Sequence, residues 1–284
     1  MKKKFSIIIL AGGFGTSLQI LYPSIPKALV PLGHVPSLCI QIETLLELDN
    51  LIDNIYVLVF KRHLYSFEKE INRWFYNNEK IKIISLPDCQ GTAKSIDFFL
   101  QQKDLMNEHI IIIYSNIPLI SKFTLKDFLI HCTNQEQDLI AIVAKLKKKK
   151  EYDYAIINNN EDLVKINSQD VSEFYFLNVF YIEKKILNLI PKIKPDENTK
   201  EYNINEIVGL YEGKKGIYIL NPYIANKECI IINKLEDKNF AEEIYLENRN
   251  ANFIHQCYGL WRQCEQFENR LYYIEKILEK NSIS

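Results

Sequence analysis

Residues 7–33 read Ile-Ile-Ile-Leu-Ala-Gly-Gly-Phe-Gly-Thr-Ser-Leu-Gln-Ile-Leu-Tyr-Pro-Ser-Ile-Pro-Lys-Ala-Leu-Val-Pro-Leu-Gly, and the rest of the chain takes its meaning from them. The apolar run from Phe5 to Leu10 is short, β-branched and closed by glycine, which is the pattern of a strand buried on both faces. Leu10 and Ala11 end it, and Gly12, Gly13 and Gly15 then permit a sharp turn whose backbone N–H groups can face an anion. Glycines also leave room for a phosphate or a flat base against the main chain. Thr16 and Ser17 follow, and Lys27, held by the stiff Pro26, is a point charge able to reach a phosphate. An ordinary strand-to-helix turn would need less than this. A dinucleotide-binding fingerprint fits poorly, because no Gly-x-Gly-x-x-Gly register or suitably placed acid is present.

Outward from this stretch, apolar runs alternate with helical periodicity. Ser37–Leu48 carries Leu38, Ile42, Leu45 and Leu46 at near-helical spacing. Strands are expected over Ile55–Phe60, Ile81–Ile84 and His109–Tyr114, the last with four consecutive isoleucines. Helices are expected over Tyr65–Tyr76 and from Gly91 through Phe99. This alternation predicts an α/β fold, a Rossmann-like three-layer sandwich with a mixed, mostly parallel sheet. Ligands of such sheets bind beyond the carboxyl ends of the strands, where Gly12–Gly15, Gly91 and Asn116 would gather.

Further on, Leu139–Lys145 reads as a strand, and Tyr154–Asn158 with Leu163–Asn167 as a hairpin. Glu173–Ile182 is aromatic and β-rich. Glu201–Leu210 begins a helix with Asn203 or Asn205 as cap. Residues 217–235 are expected to add two short strands, and Glu265–Lys280 a docked amphipathic helix. No repeat or low-complexity linker interrupts the chain. The expectation is one domain over 1–284, with a core of about 1–216 and the C-terminal strands and helix over 217–284.

Composition narrows the function. The 284 residues are 47% hydrophobic and 25% charged, a globular balance that can bury a large core. A net charge of −1 argues against nucleic acid as partner. The run Lys147–Lys150 reads as a solvated loop. Six cysteines without a Cys-x-x-Cys pair make neither a zinc site nor a disulfide framework. The apolar start breaks at Ala11-Gly12-Gly13, too short to span a membrane, so the expected setting is cytoplasmic with no membrane partner.

Gly-Gly-Phe-Gly-Thr followed by Pro26-Lys27 resembles the signature of the sugar-1-phosphate nucleotidyltransferases, the NDP-sugar pyrophosphorylases. Gln90-Gly91-Thr92-Ala93 is similar to their base-contacting loop. Tyr114–Ile120 and Glu201–Leu210 resemble stretches of the uridylyltransferases that make UDP-N-acetylglucosamine. The gap from Thr16 to Lys27 is similar to the longer spacing of hexose and heptose members, and Leu260–Asn269 to a closing segment of hexose members. The resemblance implies attack of a sugar 1-phosphate on the α-phosphate of a nucleoside triphosphate, with an NDP-sugar and pyrophosphate as products. It places Leu10, Ala11, Gly12, Gly13, Gly15, Thr16, Gln90, Gly91 and Thr92 around the nucleotide. Lys27 falls on its phosphates and Tyr154, Ala155, Glu173, Phe176 and Asn178 around the sugar. It implies Mg²⁺ as cofactor if the chain is active, and none otherwise. No β-helix acyltransferase domain is expected.

The departures from the family pattern are consistent in direction. Ser17 replaces an arginine that grips pyrophosphate, and Asn116 and Gln263 replace two metal-binding aspartates. An amide oxygen can ligate Mg²⁺ but brings no charge, and serine cannot form a bidentate cationic fork. Ser168-Gln169 falls where a Glu-Lys pair is expected, and Leu86 where a base-contacting glutamine is expected. Ala155 replaces a glycine. Asp88, Asp153, Lys94, Lys165, Glu173, Glu247 and Glu268 are candidate replacements for the lost charge. Two activities therefore stand open: a transferase, best matched to UTP and N-acetylglucosamine 1-phosphate, or a nucleotide-sugar-binding or regulatory subunit that has lost turnover. Either leaves room for a homo-oligomer or a catalytic partner subunit.

Overall fold

The computed structural model describes residues 3–13, 18, 22, 25–105, 107–145, 153–159 and 162–249. The expected helix Glu265–Lys280, the closing segment Leu260–Asn269, the basic run Lys147–Lys150, and Gly15, Thr16, Ser17, Gln263 and Glu268 lie outside them. The chain divides into two compact units, Met1–Ala241 and Glu242–Ser284. The second is described over 242–249, which is helical and includes Glu247.

The first unit is built on a nine-stranded sheet. Within it β1 (Phe5–Leu10) is parallel to β4 (Ile52–Phe60) on one side and to β6 (His109–Tyr114) on the other. Beyond β4 lies β5 (Ile81–Leu86), also parallel. Beyond β6 the order continues through β10 (Phe174–Glu183), β7 (Leu139–Lys145) and β11 (Lys215–Leu220), with β10 antiparallel to both of its neighbours. The hairpin β8 (Tyr154–Ile157) and β9 (Leu163–Asn167) joins β10 through Tyr154 and Tyr175. A small ribbon of β2 (Pro31–Leu32) and β3 (Val35–Pro36) stands apart.

The unbroken apolar runs are explained by burial on both faces. Ile7 and Ile9 enter one core and Ile8 and Leu10 the other, because side chains alternate across a strand. The first core is closed by α1 (Ser37–Leu46), α2 (Leu64–Trp74) and α4 (Lys122–Asn134), through Ile42, Phe67 and Phe128. The second is closed by α3 (Thr92–Gln102), the 3-10 helix Lys184–Lys192 and the short α5 (Ile207–Leu210), through Ile96, Ile186 and Val208. The fold is the expected three-layer sandwich with a mixed, mostly parallel sheet.

Two segments differ from expectation. Over 217–235 there is one strand, β11, and then α6 (Pro222–Glu228). Proline cannot donate to a ladder but suits the first turn of a helix, and Asn221 caps it by accepting from the Tyr223 N–H at 2.9 Å. The expected helix from Glu201 is only the four residues of α5, preceded by the 3-10 turn Ile204–Glu206. Its start is held extended because the Tyr202 N–H donates to Gln90 O (3.1 Å) and Tyr202 O accepts from Ala93 N (2.8 Å). Among the described residues no helix is long and apolar enough to cross a membrane.

Candidate functional site

The turns that follow the parallel strands meet at one edge of the sheet. The chain leaves β1 through Ala11, whose N–H donates to Leu58 O on β4, and Ser115 after β6 donates to Leu10 O. Gly12 and Gly13 therefore lie beside Asn116. A Cβ on Gly12 would sit 3.0 Å from the Phe60 ring, so any larger residue there must displace that ring by a few tenths of an ångström. A Cβ on Gly13 would meet nothing within 4 Å among the described residues.

Asn116 is positioned from below by a residue the sequence did not flag. Gln41 on α1 is fully buried, and its Nε2 donates to Tyr114 O at 3.0 Å and Ile117 O at 3.3 Å, clamping the turn that carries Asn116. On the sheet's other side, Asn178 sits at a break in the β10–β7 register with φ of 58°, a left-handed conformation asparagine tolerates. That kink aims its Nδ2 at Asn116 Oδ1, 3.2 Å away.

The fourth member is Asn233. It ends the apolar stretch Ile230–Ile232, which is docked when the Ile232 N–H donates to Asn116 O at 2.8 Å. Its Oδ1 accepts from Asn116 Nδ2 at 3.3 Å and from Lys27 Nζ at 2.7 Å. Asp237 fixes the segment by accepting the Asn233 and Lys234 N–H groups, both at 3.0 Å, as the cap of the helix that begins at 235. The signal was present in the sequence as an acid four residues after Asn233 at the start of a polar-apolar repeat. Burial lowers the Lys27 ammonium to about 8, against the opposing pull of Asp237. Lys27, Asn116, Asn178 and Asn233 thus form one connected, half-buried cluster.

The second loop is shaped by Tyr202. Gly91 is the N-cap of α3 with φ of +92°, and a Cβ there would meet the Tyr202 backbone, 2.5 Å from its nitrogen. Thr92 is the first helical residue, and its Oγ1 accepts from Ile204 N at 2.9 Å. Gln90 is exposed at the same turn. Leu86 is buried at the end of β5.

A cavity of about 680 Å³ opens between the β8–β9 hairpin, the 192–199 loop and the 201–210 segment, lined by Asp153, Lys165, Ser168, Gln169 and Asn203 among others. Its volume is that of a small-molecule site. Asp153 reaches the sheet edge through a relay: Asn205 Nδ2 donates to Asp153 Oδ2 at 2.7 Å, and Tyr114 Oη donates to Asn205 Oδ1 at 3.2 Å. Desolvation holds the Asp153 carboxyl above its ordinary range, Asn205 opposes this, and the Glu206 charge adds to it.

The residues the resemblance places around the sugar are distributed unevenly. Tyr154 is buried against Tyr175, and Ala155 and Phe176 are wholly buried, Phe176 against Phe180, so these two side chains serve the core. Glu173 is exposed and paired with Lys145 at 2.7 Å. Asn178 alone joins the cluster. Of the other candidate charges, Asp88 pairs with Arg62 and Lys165 with Asp170 at the surface, and Lys94 forms a half-buried pair with Asp97. Asp153 is half-buried and accepts from the Asn205 amide.

A folded-state pKa above the unfolded one means the folded chain binds more protons in the window between them, so stability falls as pH rises through that window. Asp153→Asn, which keeps an acceptor for Asn205, is expected to raise the melting temperature at pH 7. It should give no gain well below the ordinary carboxylate range, where Asp153 is protonated in both states. Thermal unfolding across a pH series checks this.

Mg²⁺ does not fit the donor set among the described residues. Among the described residues no three His, Cys, Asp or Glu side chains converge to hold a metal. The cluster offers amides, whereas Mg²⁺ sites rely on at least one or two carboxylates.

Residues 6–245 match the nucleotidyl transferase family. The bifunctional protein GlmU of Methanococcus aeolicus is 26% identical over 194 residues, covering 67% of this chain and 43% of that protein. GlmU of Buchnera aphidicola is 31% identical over 251 residues, 84% of this chain and 52% of that protein. The chain spans about half the length of the curated relatives it matches. The crystal structure of UDP-glucose pyrophosphorylase complexed with UDP-glucose superposes with a TM-score of 0.66 at 15% identity, over 87% of this chain and 100% of that one, a likeness of fold alone.

Proposed function

The chain belongs to the sugar-1-phosphate nucleotidyltransferase family, and we propose that its site takes a nucleoside triphosphate and a sugar 1-phosphate and joins them. A phosphate oxygen of the sugar attacks the α-phosphorus, the bond from that phosphorus to the β-bridging oxygen breaks, and pyrophosphate leaves with the electron pair. Positioning and charge neutralisation dominate such transfers, which is work for turns and a fixed cation more than for covalent catalysis.

The observation that carries this reading is the cluster at the carboxyl edge of the sheet, where Lys27 is held 2.7 Å from Asn233 Oδ1 beside the Gly12-Gly13 turn. In this reading Gly12, Gly13, Gly91 and Thr92 hold the nucleotide and Lys27 steadies its phosphates. The cavity beside the β8–β9 hairpin receives the sugar, with Asp153 as an acceptor for hydroxyls. A uridine nucleotide and N-acetylglucosamine 1-phosphate are the first pair to test, from the resemblance of Tyr114–Ile120 and Glu201–Leu210 to uridylyltransferases.

A second reading is favoured by the neutrality of the amides. Asn116 stands where the resemblance implies an aspartate and bonds to the neutral amides of Asn178 and Asn233, which suits a nucleotide-sugar-binding subunit that acts with a catalytic partner. Pyrophosphate release across four nucleoside triphosphates and a panel of sugar 1-phosphates separates the two. Turnover by the natural chain supports the transferase. Nucleotide binding without release supports the subunit. Ser17→Arg with Asn116→Asp is expected to raise release by about 10²-fold, the scale of one restored electrostatic contact.

A further inference from the structure

Asn233 Oδ1 receives both Lys27 Nζ and Asn116 Nδ2, so both of its lone pairs point at donors. Asn116 Oδ1 accepts from Asn178 Nδ2. Turning any of these amides over leaves it uncharged, so no orientation restores the missing carboxylate. Asp237, the acid whose charge acts on Lys27, has its Oδ2 committed to the Asn233 and Lys234 N–H groups at the start of a helix.

The cluster does carry a cation of its own. Lys27 is tethered by the chain, follows Pro26 into the 3-10 turn Lys27–Leu29, and is held against an asparagine 206 residues away in sequence. An ammonium has three N–H donors, and one of them goes to Asn233. Asn116 and Asn178 each add a second amide hydrogen to those already used within the cluster. Among the described residues the cluster is therefore rich in donors, and its one neighbouring carboxylate, Asp237, is engaged in capping a helix, which suits a phosphate and does not suit a hard dication.

We infer that this site takes the polyphosphate of a nucleoside triphosphate without a divalent ion, the Lys27 ammonium standing where the family resemblance implies Mg²⁺. The inference rests on the nucleotide-binding reading above and adds the source of the neutralising charge.

Calorimetric titration of the full chain with UTP and the other three nucleoside triphosphates, first in EDTA and then in excess Mg²⁺, tests it. The natural chain is expected to bind the preferred nucleotide with the same Kd in both, within about twofold. Lys27→Met should weaken binding in EDTA by about tenfold or more, roughly the loss of one charge-assisted contact. Asn116→Asp, which adds a carboxylate, should bind poorly in EDTA and recover about tenfold with Mg²⁺. Binding by the natural chain that strengthens tenfold with Mg²⁺ overturns the inference and leaves the nucleotide reading standing. Failure of all four nucleotides to bind in either condition overturns both. Mn²⁺ alone, followed by its paramagnetic resonance signal, should stay free in the presence of the natural chain, and its capture at the cluster would also overturn the inference.

Discussion

Replacing Lys27 by methionine is expected to make the protein more stable and less able to hold a nucleotide. The apolar stem survives in the variant, and Asn233 Oδ1 keeps Asn116 Nδ2 as a donor. What goes is an ammonium whose burial lowers it to about 8 from an ordinary 10.5. A difference of that size corresponds to roughly 3 kcal/mol of desolvation cost at neutral pH. The lost hydrogen bond to Asn233 offsets about 1 kcal/mol or somewhat more. The net gain is about 1–2 kcal/mol, seen as a melting temperature higher by roughly 2–8 °C.

The pH dependence separates this cause from better packing. The folded lysine has the lower pKa, so the unfolded chain binds more protons between about 8 and 10.5, and the natural protein gains stability as pH rises through that window. The advantage of the methionine variant should accordingly be largest below pH 8 and fade by about pH 10.5. An advantage that is flat across this range, measured by thermal unfolding of both proteins, would show that the charge is not its source. Stability given up at one residue and affinity lost with it is the expected signature of a functional cation.

Gly91→Ala is expected to have the largest effect on folding. The glycine holds φ of +92°, where an L side chain is strained, and its new methyl would press into the backbone of Tyr202. That backbone cannot withdraw cheaply. Its N–H is bonded to Gln90 O and its carbonyl to Ala93 N, and Ile204 two residues on is bonded to Thr92 Oγ1. Relief of the clash therefore breaks the contact between the two segments. A loss of about 3 kcal/mol or more follows, lowering the melting temperature by roughly 6–12 °C. Gly13→Ala is the matched control. A Cβ there meets nothing within 4 Å among the described residues, so its effect on stability should be under about 0.5 kcal/mol. Equal losses in the two variants, by denaturant or thermal unfolding, would refute the steric account.

The framework of this protein was legible locally. Phe5–Leu10, Ile55–Phe60 and His109–Tyr114 are apolar on both faces because they are interior strands, each flanked by two others and covered on both sides. Their alternation with helical periodicity requires a largely parallel sheet, and glycine after the first strand marks the edge where ligands bind. Gly12 and Asn116 could be named from the sequence because each closely follows a strand, and Lys27 because it follows the stiff Pro26.

The composition of the site belongs to the tertiary structure. Asn233 and Lys27 are 206 residues apart, and Asn116 and Asn233 are 117 apart. No periodicity links them, and the docking of Ile232 against Asn116 is a property of the folded chain. Phe176 and Ala155 are close in pattern to ligand-contacting positions, yet alternation across the strands turns them into the core, while Asn178 is turned toward the ligand edge by a break in strand register. Gly91 read as a nucleotide-loop glycine, and the passage of Tyr202 gives it a second, steric reason to be there. Local pattern determines which residues are buried in a strand or helix, because it depends on neighbours in sequence. Which polar groups then share a site depends on strand order, register and loop docking, and these are settled only when distant segments pack.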